Sequence, residues 1–311
     1  MSSLVALRIG TRGSPLALIQ AEATRDALAA AHPDLKGRIE IVVIRTTGDR
    51  VRDRALAEIG GKGLFTKEIE DGLLDHGIDI AVHSMKDMPT ELPPGLAIPC
   101  LLPRADPRDA LLASGAGSIA DLARGAVVGT ASLRRKAQLL ARRPDIEVVL
   151  LCGNVETRLA KLRAGTVDAT LLALAGLDRL GLTASSGAVP IASDEMLPAV
   201  AQGAIGIEAR ADDDRVAALL APINHRPTAT AVAAERAFLA QLDGSCRTPI
   251  AALAEIDGND LSLRGLIAKP DGSAVRTIAR QGAVVDAVAI GAEAGRELGD
   301  AVGPDFLAAL G

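Results

Sequence analysis

Short strand-like runs alternate with helix-forming segments along most of this chain, and that alternation limits the folds it can adopt. Leu4–Ile9 has the composition of a buried strand, and the loop Gly10–Gly13 follows it. Ser14 can then cap a helix that has Pro15 at its first position and continues over Leu16–Ala31. Strand–loop–helix runs of this kind are typical of α/β domains with largely parallel sheets. The sequence therefore predicts an α/β fold.

The alternation starts a second time after the proline-bounded segment Pro103–Pro107. Helices are expected over Ser132–Arg142 and Val155–Ala164, each between strand-like runs. A smaller unit follows Pro227, with one helix, shorter strands and a final helix. Ligands bind beyond the carboxyl ends of strands in open α/β sheets, so two such lobes joined by short crossings predict a ligand cleft.

Composition and charge exclude several classes of protein. The 311 residues include 34 Lys plus Arg against 39 Asp plus Glu, and the resulting net charge of −5 argues against a general nucleic-acid binder. Trp and Tyr are absent, so the aromatic side chains that stack on bases are missing. The longest uncharged stretch, Leu180–Ser193, is too short to cross a bilayer, and Met1–Gly10 lacks the apolar core of a signal peptide. We therefore expect a soluble cytoplasmic protein without membrane or nucleic-acid partners.

The cysteines stand alone at positions 100, 152 and 246. No Cys pair or His cluster has the spacing of metal ligands, so neither a disulfide framework nor a bound metal is expected. Cys246 lies among small residues beside Arg247, a setting that can lower the pKa of a thiol. A nucleophile or attachment point and a buried inert thiol both remain open for Cys246.

Arginine dominates the basic residues, with 27 Arg against 7 Lys. This excess of arginine suits binding of carboxylate or phosphate by the forked guanidinium group. A general preference for arginine in the composition of the chain explains the excess equally well. Arg134 and Arg135 follow Ser132 at a predicted helix start, where two cations oppose the helix dipole unless an anion lies between them. A solvated arginine pair is the alternative. Arg12 and Arg158 lie near comparable strand ends, a pattern that suits a ligand with several carboxylates.

Ionisable side chains also follow the buried strand expected at Ile78–Val82. In the segment His83–Asp87, an aspartate beside a lysine can stabilise a developing cation or move a proton, whereas a turn-capping aspartate is the plainer interpretation. Gly60–Gly63 lacks the Ser or Thr of a Walker motif. Because Asp49–Gly61 carries little hydrophobic periodicity, we predict a mobile lid there.

Eight segments carry a resemblance that covers almost the whole chain in a fixed order. They are Arg8–Ala17, Gly60–Phe65, Ala81–Asp87, Asp106–Asp109, Val128–Arg135, Gly153–Arg158, Leu197–Gly203 and the loop around Cys246. Together they resemble the hydroxymethylbilane synthases, also called porphobilinogen deaminases.

The resemblance implies two periplasmic-binding-protein-like lobes around a cleft plus a smaller α+β C-terminal domain. The implied domains are residues 1–102 with 199–222, then 103–198, then 223–311. It also implies a monomeric transferase of tetrapyrrole and heme biosynthesis. Such an enzyme adds four porphobilinogens to a covalently bound dipyrromethane cofactor with loss of ammonia, and hydrolysis then releases hydroxymethylbilane.

The resemblance also assigns roles to residues that match the family's motifs. Asp87 matches the catalytic aspartate, and Cys246 matches the cysteine that holds the cofactor through a thioether. Further cofactor-binding positions are Ser84, Lys86, Thr130, Ser132, Arg134, Arg135 and Gly153. The substrate-binding positions are Arg12, Ser14, Gln20, Arg158 and Arg179, and the lid positions are Lys62 and Phe65. No metal is implied.

One position departs from the family pattern. The family has an arginine immediately before Gly-Asn-Val, and this chain has Cys152 there. Loss of a forked cation costs about 2–5 kcal/mol if its partner carboxylate stays desolvated. Chain elongation is then impaired, or a neighbouring basic residue compensates. A non-catalytic binding protein with the same fold is a further alternative, but it gives Cys246 and Asp87 no role.

Overall fold

The computed structural model describes residues 5–50, 66–242 and 248–308, and it forms two compact units. The first unit comprises residues 5–50, 66–105 and 204–229, and the second comprises 106–203 with the described residues from 230 onward. In these ranges no helix combines the length and the apolar composition needed to cross a membrane. The division into three domains stays a prediction.

Strands and helices alternate through both units. The strands are β1 Leu7–Arg12, β2 Ile39–Ile44, β3 Ile80–Ser84, β4 Leu96–Leu101, β5 Asp109–Ala113, β6 Val127–Gly129, β7 Glu147–Val149, β8 Ala169–Ala173, β9 Val189–Pro190, β10 Ile205–Arg210, β11 Ile250–Asp257, β12 Asp260–Ala268 and β13 Val275–Ala283. The helices are α1 Pro15–Ala31, α2 Thr47–Arg50, α3 Lys67–Leu74, α4 Leu133–Arg142, α5 Val155–Arg163, α6 Leu174–Arg179, α7 Thr183–Ser186, α8 Asp214–Leu220, α9 Arg226–Gln241 and α10 Ala287–Ala308.

The sheet of the first unit has the strand order β2-β1-β3-β10-β4. Strand β1 is parallel to β2 and β3, whereas β10 is antiparallel to both β3 and β4. Ile9 and Val82 pack with Leu28 of α1 on one face, and Ile69 and Leu73 of α3 cover the other face. Because both faces are covered, the central strands are rich in apolar residues.

The second unit contains a sheet with the order β7-β6-β8-β5-β9. Strand β6 is parallel to β7 and β8, and β5 is antiparallel to β8 and β9. In both five-stranded sheets the parallel strands therefore lie in the order second, first, third, and the next strand is antiparallel. Val128, Leu139 and Leu171 form part of the core between this sheet and α4.

The third sheet is antiparallel, with the order β11-β12-β13. Phe238 of α9 packs over Gly265, where a Cβ atom would lie 2.5 Å from the phenyl ring. On the opposite face, Leu253 and Leu266 share a core with Ala137 of α4. Two mixed five-stranded sheets and a smaller α+β C-terminal region confirm the predicted fold class.

The sequence placed the first strand too early. β1 begins at Leu7 and continues to Arg12, through residues predicted to form a loop. Every residue of β1 pairs with β2, and the strand also pairs with β3, so sheet hydrogen bonding outweighs the turn propensity of glycine. Gly10 fits this central strand because a Cβ atom there would lie 2.2 Å from Cδ1 of Ile78.

Candidate functional site

A small cavity of about 70 Å³ lies in the first unit, beyond the carboxyl ends of β1 and β3. Its lining includes five residues that the sequence analysis singled out: Arg12, Ser14, Gln20, Ser84 and Asp87. These residues come from two segments about 70 positions apart, and parallel pairing of β1 with β3 brings them to the same edge of the sheet.

The N-terminus of α1 is built as the sequence predicts. Oγ of Ser14 accepts a hydrogen bond of 3.3 Å from the backbone N–H of Ala17, and Pro15 occupies the first helical turn. Farther along α1, the buried amide of Gln20 donates to Oγ of Ser84 at 2.9 Å, and this hydroxyl donates to Oε1 of Gln20 at 3.1 Å. Gln20 therefore orients Ser84 at the end of β3.

Asp87 ends the one-turn 3-10 helix Met85–Asp87, which directly follows β3. Its side chain is exposed, and its carboxylate takes part in no hydrogen bond or ion pair within the described ranges. Lys86 beside it is half-buried. The cavity therefore contains a carboxylate that is available to a ligand.

A buried ionisable pair lies next to this turn. Nε2 of His83 is 3.0 Å from Oε2 of Glu208 on the neighbouring strand β10, and both side chains are buried. Burial, together with the nearby charge of Glu208, raises the pKa of the Glu70 carboxyl group in α3. His83 is thus a buried histidine with a hydrogen-bond partner, as buried polar side chains generally are.

In the second unit, Asp109 lies between the two arginines of α4. Its fully buried carboxylate accepts 2.7 Å hydrogen bonds from Nη1 of Arg134 and Nη2 of Arg135, and one of 3.0 Å from the Gln202 amide. Burial alone would raise the pKa of Asp109, but the two guanidinium groups lower it well below its usual range. Asp109 is thus an anion within the chain that stabilises both arginines at this helix start, and the three side chains together keep one positive charge.

Further hydrogen bonds fix these arginines. Arg134 donates to the carbonyl of Leu197 at 2.8 Å, and Arg135 donates to the carbonyl of Leu171 at 2.8 Å. Gln138, one turn later in α4, bonds both the N–H and the carbonyl of Leu197. Nε of Arg134 is buried and has no partner in the described part of the chain. The alternative interpretation, a solvated arginine pair, is wrong, because both side chains are about 5% exposed.

Ser132 and Thr130 shape the approach to this helix. Oγ of Ser132 caps α4 by accepting the backbone N–H of Arg135 at 3.4 Å. Oγ1 of the buried Thr130 accepts the N–H of Ser132 at 3.2 Å. Both hydroxyls therefore support the predicted helix start, whose first free N–H groups favour an anion.

The loop that carries the unusual cysteine precedes α5. Cys152 is half-buried, and its carbonyl accepts a 3.1 Å hydrogen bond from Nζ of Lys161. Nε of Arg158 donates to the carbonyl of Gly153 at 2.8 Å, and Asn154 caps the helix. A lysine and an arginine of α5 thus both reach the loop at position 152.

Four predicted site residues remain, and three of them lie outside the described ranges. Arg179, at the end of α6, donates to the carbonyl of Gly203 at 2.7 Å, and burial lowers its pKa. Lys62, Phe65 and Cys246 lie outside the described residues. No cluster of possible metal ligands occurs among the residues that the structure describes.

Local sequence gave no signal for Asp109 as the partner of the two arginines, since 25 residues separate it from Arg134. Its only marker was its place in the segment Asp106–Asp109, which the resemblance included without a role. The pairing of His83 with Glu208 spans 125 residues and was equally hidden.

Two family models match the chain. "Porphobilinogen deaminase, dipyromethane cofactor binding domain" covers residues 7–218, and "Porphobilinogen deaminase, C-terminal domain" covers residues 229–300. A curated porphobilinogen deaminase of Paracoccus denitrificans (strain Pd 1222) is 60% identical over 301 residues, which are 96% of this chain and 96% of that protein. The chloroplastic porphobilinogen deaminase of Oryza sativa subsp. japonica is 56% identical over 98% of this chain and 86% of that protein.

Solved structures with some likeness include solute-binding proteins. An amino-acid ABC transporter extracellular-binding protein, ytmK of Bacillus subtilis, gives a TM-score of 0.41 at 13% identity, covering 70% of this chain and 89% of that one. A TRAP periplasmic solute binding protein of Pseudomonas putida F1 with bound D-glucuronate gives 0.40 at 10% identity, covering 71% and 77%.

Proposed function

The chain belongs to the porphobilinogen deaminase family, and from this premise we propose that it joins four porphobilinogen molecules on a dipyrromethane primer. Each addition releases ammonia, and a final hydrolysis releases hydroxymethylbilane. The observation that carries the proposal is the cavity of the first unit, where Arg12 lies together with the carboxylate of Asp87, which has no partner within the described ranges. This arrangement suits a substrate that has both carboxylates and a cationic aminomethyl group.

The chemistry assigned to Asp87 follows from that substrate. Loss of ammonia breaks a carbon–nitrogen bond and leaves an electron-poor methylene carbon conjugated with the pyrrole nitrogen. A fixed carboxylate near that nitrogen stabilises the positive charge as it develops. Arg12 and Ser14 lie in the same cavity, where they can bind substrate carboxylates. Asp87 is thus the proposed catalytic residue.

The second unit has residues that fit the carboxylates of a dipyrromethane cofactor. Arg134 and Arg135 keep one positive charge after pairing with Asp109, and Nε of Arg134 is buried without a partner among described atoms. We propose that these arginines, with Thr130 and Ser132, hold the cofactor's acetate and propionate groups. When bound, the cofactor supplies the free pyrrole carbon to which the first substrate is joined. Lys86, Ser84 and Gly153 are proposed as further cofactor contacts.

We propose Cys246 as the attachment point of the cofactor, through a thioether bond. Burial raises the pKa of Cys100 to about 12, so its thiol is a poor nucleophile at neutral pH. Cys152 lies in a segment that does not match the family's attachment motif. Cys246 does match that motif, and Arg247 follows it in the sequence.

Intact-mass measurement tests this proposal directly. Protein from cells that make porphobilinogen is expected to exceed its sequence mass by one dipyrromethane, and Cys246→Ala is expected to remove that excess. Cys100→Ala and Cys152→Ala serve as matched controls that should keep it. An unmodified mass for the wild-type protein would contradict the proposed function. An excess that survives Cys246→Ala would contradict only the attachment site.

Cys152 leads us to propose slower elongation than an arginine at this position would allow. Cys152→Arg is expected to raise the rate of hydroxymethylbilane formation about tenfold, which is less than a fully desolvated ion pair would give, because position 152 is half-buried. Cys152→Lys adds a positive charge but not the forked hydrogen-bond donor of arginine, so the rate should increase less. Steady-state rates and the mass ladder of elongation intermediates provide the measurement.

A different result would show that a neighbouring lysine takes the place of the missing arginine. If Cys152→Arg leaves the rate unchanged and Lys161→Ala lowers it, then Lys161 compensates for the missing arginine. That outcome would contradict slow elongation in this chain.

We further propose that the enzyme acts as a monomer in the cytoplasm. Support comes from the family resemblance. Light scattering during size-exclusion chromatography should give the mass of one chain. Substrate binding would then use Gln20, Arg158 and Arg179 of the same chain, with Lys62 and Phe65 in the proposed lid.

A further inference from the structure

We infer that Gly206 and Met85 are positioning residues, whose packing sets the place of the Asp87 carboxylate in the cavity of the first unit. The inference rests on the catalytic function proposed for Asp87. It assigns a function to two residues that do not line the cavity.

The starting observation is a close contact between strand β10 and the turn that carries Asp87. Met85 is 2% exposed and is the first residue of that turn. A Cβ atom built on Gly206 would lie 2.0 Å from Sδ of Met85 and 2.9 Å from its Cγ. The backbone of Gly206 is not in the left-handed region, so the cost of a larger residue at this position is steric and falls on the side chain of Met85.

The backbone joins the same two segments. The N–H of Met85 donates a 3.0 Å hydrogen bond to the carbonyl of Ala204. In the antiparallel pair of β3 and β10, Ser84 lies opposite Ile205 and His83 lies opposite Gly206. The turn therefore begins where this ladder ends, and Met85 fills the space left free by Gly206.

Both faces of β3 are held near this point. On one face, Ser84 exchanges two hydrogen bonds with Gln20 of α1. On the other, His83 bonds the buried Glu208, two residues beyond Gly206 along β10. Alternation along the strand places His83 and Ser84 on opposite faces. The end of β3 is thus fixed from two directions.

Asp87 contributes nothing to this anchoring. Its carboxylate is exposed and makes no hydrogen bond or ion pair in the described part of the chain. Its location is therefore set by the preceding turn, and the packing of Met85 against Gly206 is one of the contacts that hold that turn. A shift of about 1 Å in a catalytic group can cost on the order of 100-fold in rate.

The test introduces a larger residue at Gly206 and then removes the Met85 atoms with which it would clash. Gly206→Ala pushes Met85 out of its packed position, and kcat is expected to fall by about 10- to 100-fold. KM is expected to stay within about twofold, since neither residue contacts substrate groups in the proposed binding mode. Adding Met85→Ala to Gly206→Ala removes the clashing Sδ and Cγ atoms, so kcat should recover several-fold. A purely structural lesion would worsen with the second change.

Two further variants keep the inference testable if Gly206→Ala does not fold. Met85→Ala alone removes the packing without overfilling the core, and it should lower kcat with KM unchanged. Gly282→Ala is the matched control, because its Cβ would lie 2.8 Å from Cδ1 of Ile290 in the C-terminal sheet. It should lower stability and leave kcat unchanged.

The outcomes separate this inference from the proposed function. If Asp87→Asn lowers kcat but both Gly206→Ala and Met85→Ala keep the wild-type value, the positioning inference is wrong and the catalytic role of Asp87 stands. If Asp87→Asn leaves kcat unchanged, the proposed function of Asp87 is wrong and the inference falls with it. Loss of kcat in Gly206→Ala without recovery in the double variant also contradicts the inference.

Discussion

Asp109→Ala is expected to lower the free energy of unfolding by about 3–5 kcal/mol. The substitution removes a fully buried carboxylate and leaves the guanidinium groups of Arg134 and Arg135 buried without their counter-ion. It also removes an acceptor of the Gln202 amide. Urea unfolding followed by circular dichroism at 222 nm measures the change, since the absence of Trp and Tyr excludes the usual fluorescence signal.

Asp106→Ala is the matched control for this prediction. Asp106 also pairs with an arginine, at 2.7 Å from Nη2 of Arg108, but both side chains are partly exposed to solvent. An ion pair of this kind contributes about 0–1 kcal/mol. If Asp106→Ala and Asp109→Ala lower the free energy of unfolding equally, the buried ion pairs of Asp109 are no more stabilising than the partly exposed pair of Asp106.

The pH dependence of this effect has a definite sign. The pKa of Asp109 is depressed in the folded protein from an ordinary value of 3.8, because the two guanidinium groups outweigh the effect of burial. Its contribution is therefore present in full above that ordinary value and is lost as pH falls toward the folded pKa. The difference in unfolding free energy between wild type and Asp109→Ala should stay constant from pH 7 to about pH 5 and narrow below about pH 4.

Asp87→Asn is expected to lower kcat by about 10²- to 10³-fold. Asparagine keeps the shape of the side chain but removes the charge that stabilises the cation formed as ammonia leaves. Because the carboxylate is exposed and unpaired within the described ranges, the free energy of unfolding should change little. The rate of hydroxymethylbilane formation and an unfolding curve on the same preparation check both statements.

Asp75→Asn provides the control for Asp87→Asn. Asp75 is an exposed carboxylate of the same unit, at the end of α3, and accepts a 2.9 Å hydrogen bond from the N–H of Gly77. Its loss should leave kcat unchanged. A rate for Asp87→Asn within about threefold of the wild type would contradict the catalytic function proposed for Asp87.

Local chemistry in the sequence predicted local structure well. Ser14 caps α1 and Ser132 caps α4, as expected from short polar side chains before helical runs. The α/β class followed from the alternation of strands and helices. At the site, the strand-end argument located Arg12 and Asp87, and parallel pairing then brought them to one cavity.

Contacts between distant segments could not be predicted in the same way. The residues near Asp109 do not show that its carboxylate pairs with Arg134, 25 residues later in the chain. The residues near His83 likewise do not identify Glu208 as its hydrogen-bond partner. The predicted loop at Gly10 was wrong for the same reason, because pairing with β2 and β3 keeps this residue in a strand. Sequence patterns report what a segment prefers alone, whereas burial and pairing depend on which segments meet.

The antiparallel strand β10 has a consequence for the synthesis of this protein. The turn with Asp87 is made early on the ribosome, but Ala204 and Gly206, which hold it, are translated more than 110 residues later. Until then β3 and β4 lack the strand that lies between them in the finished sheet. A nascent chain that ends before residue 204 therefore exposes two unpaired strand edges, a state that favours aggregation and binding by chaperones. The first unit becomes complete only after most of the second has been synthesised.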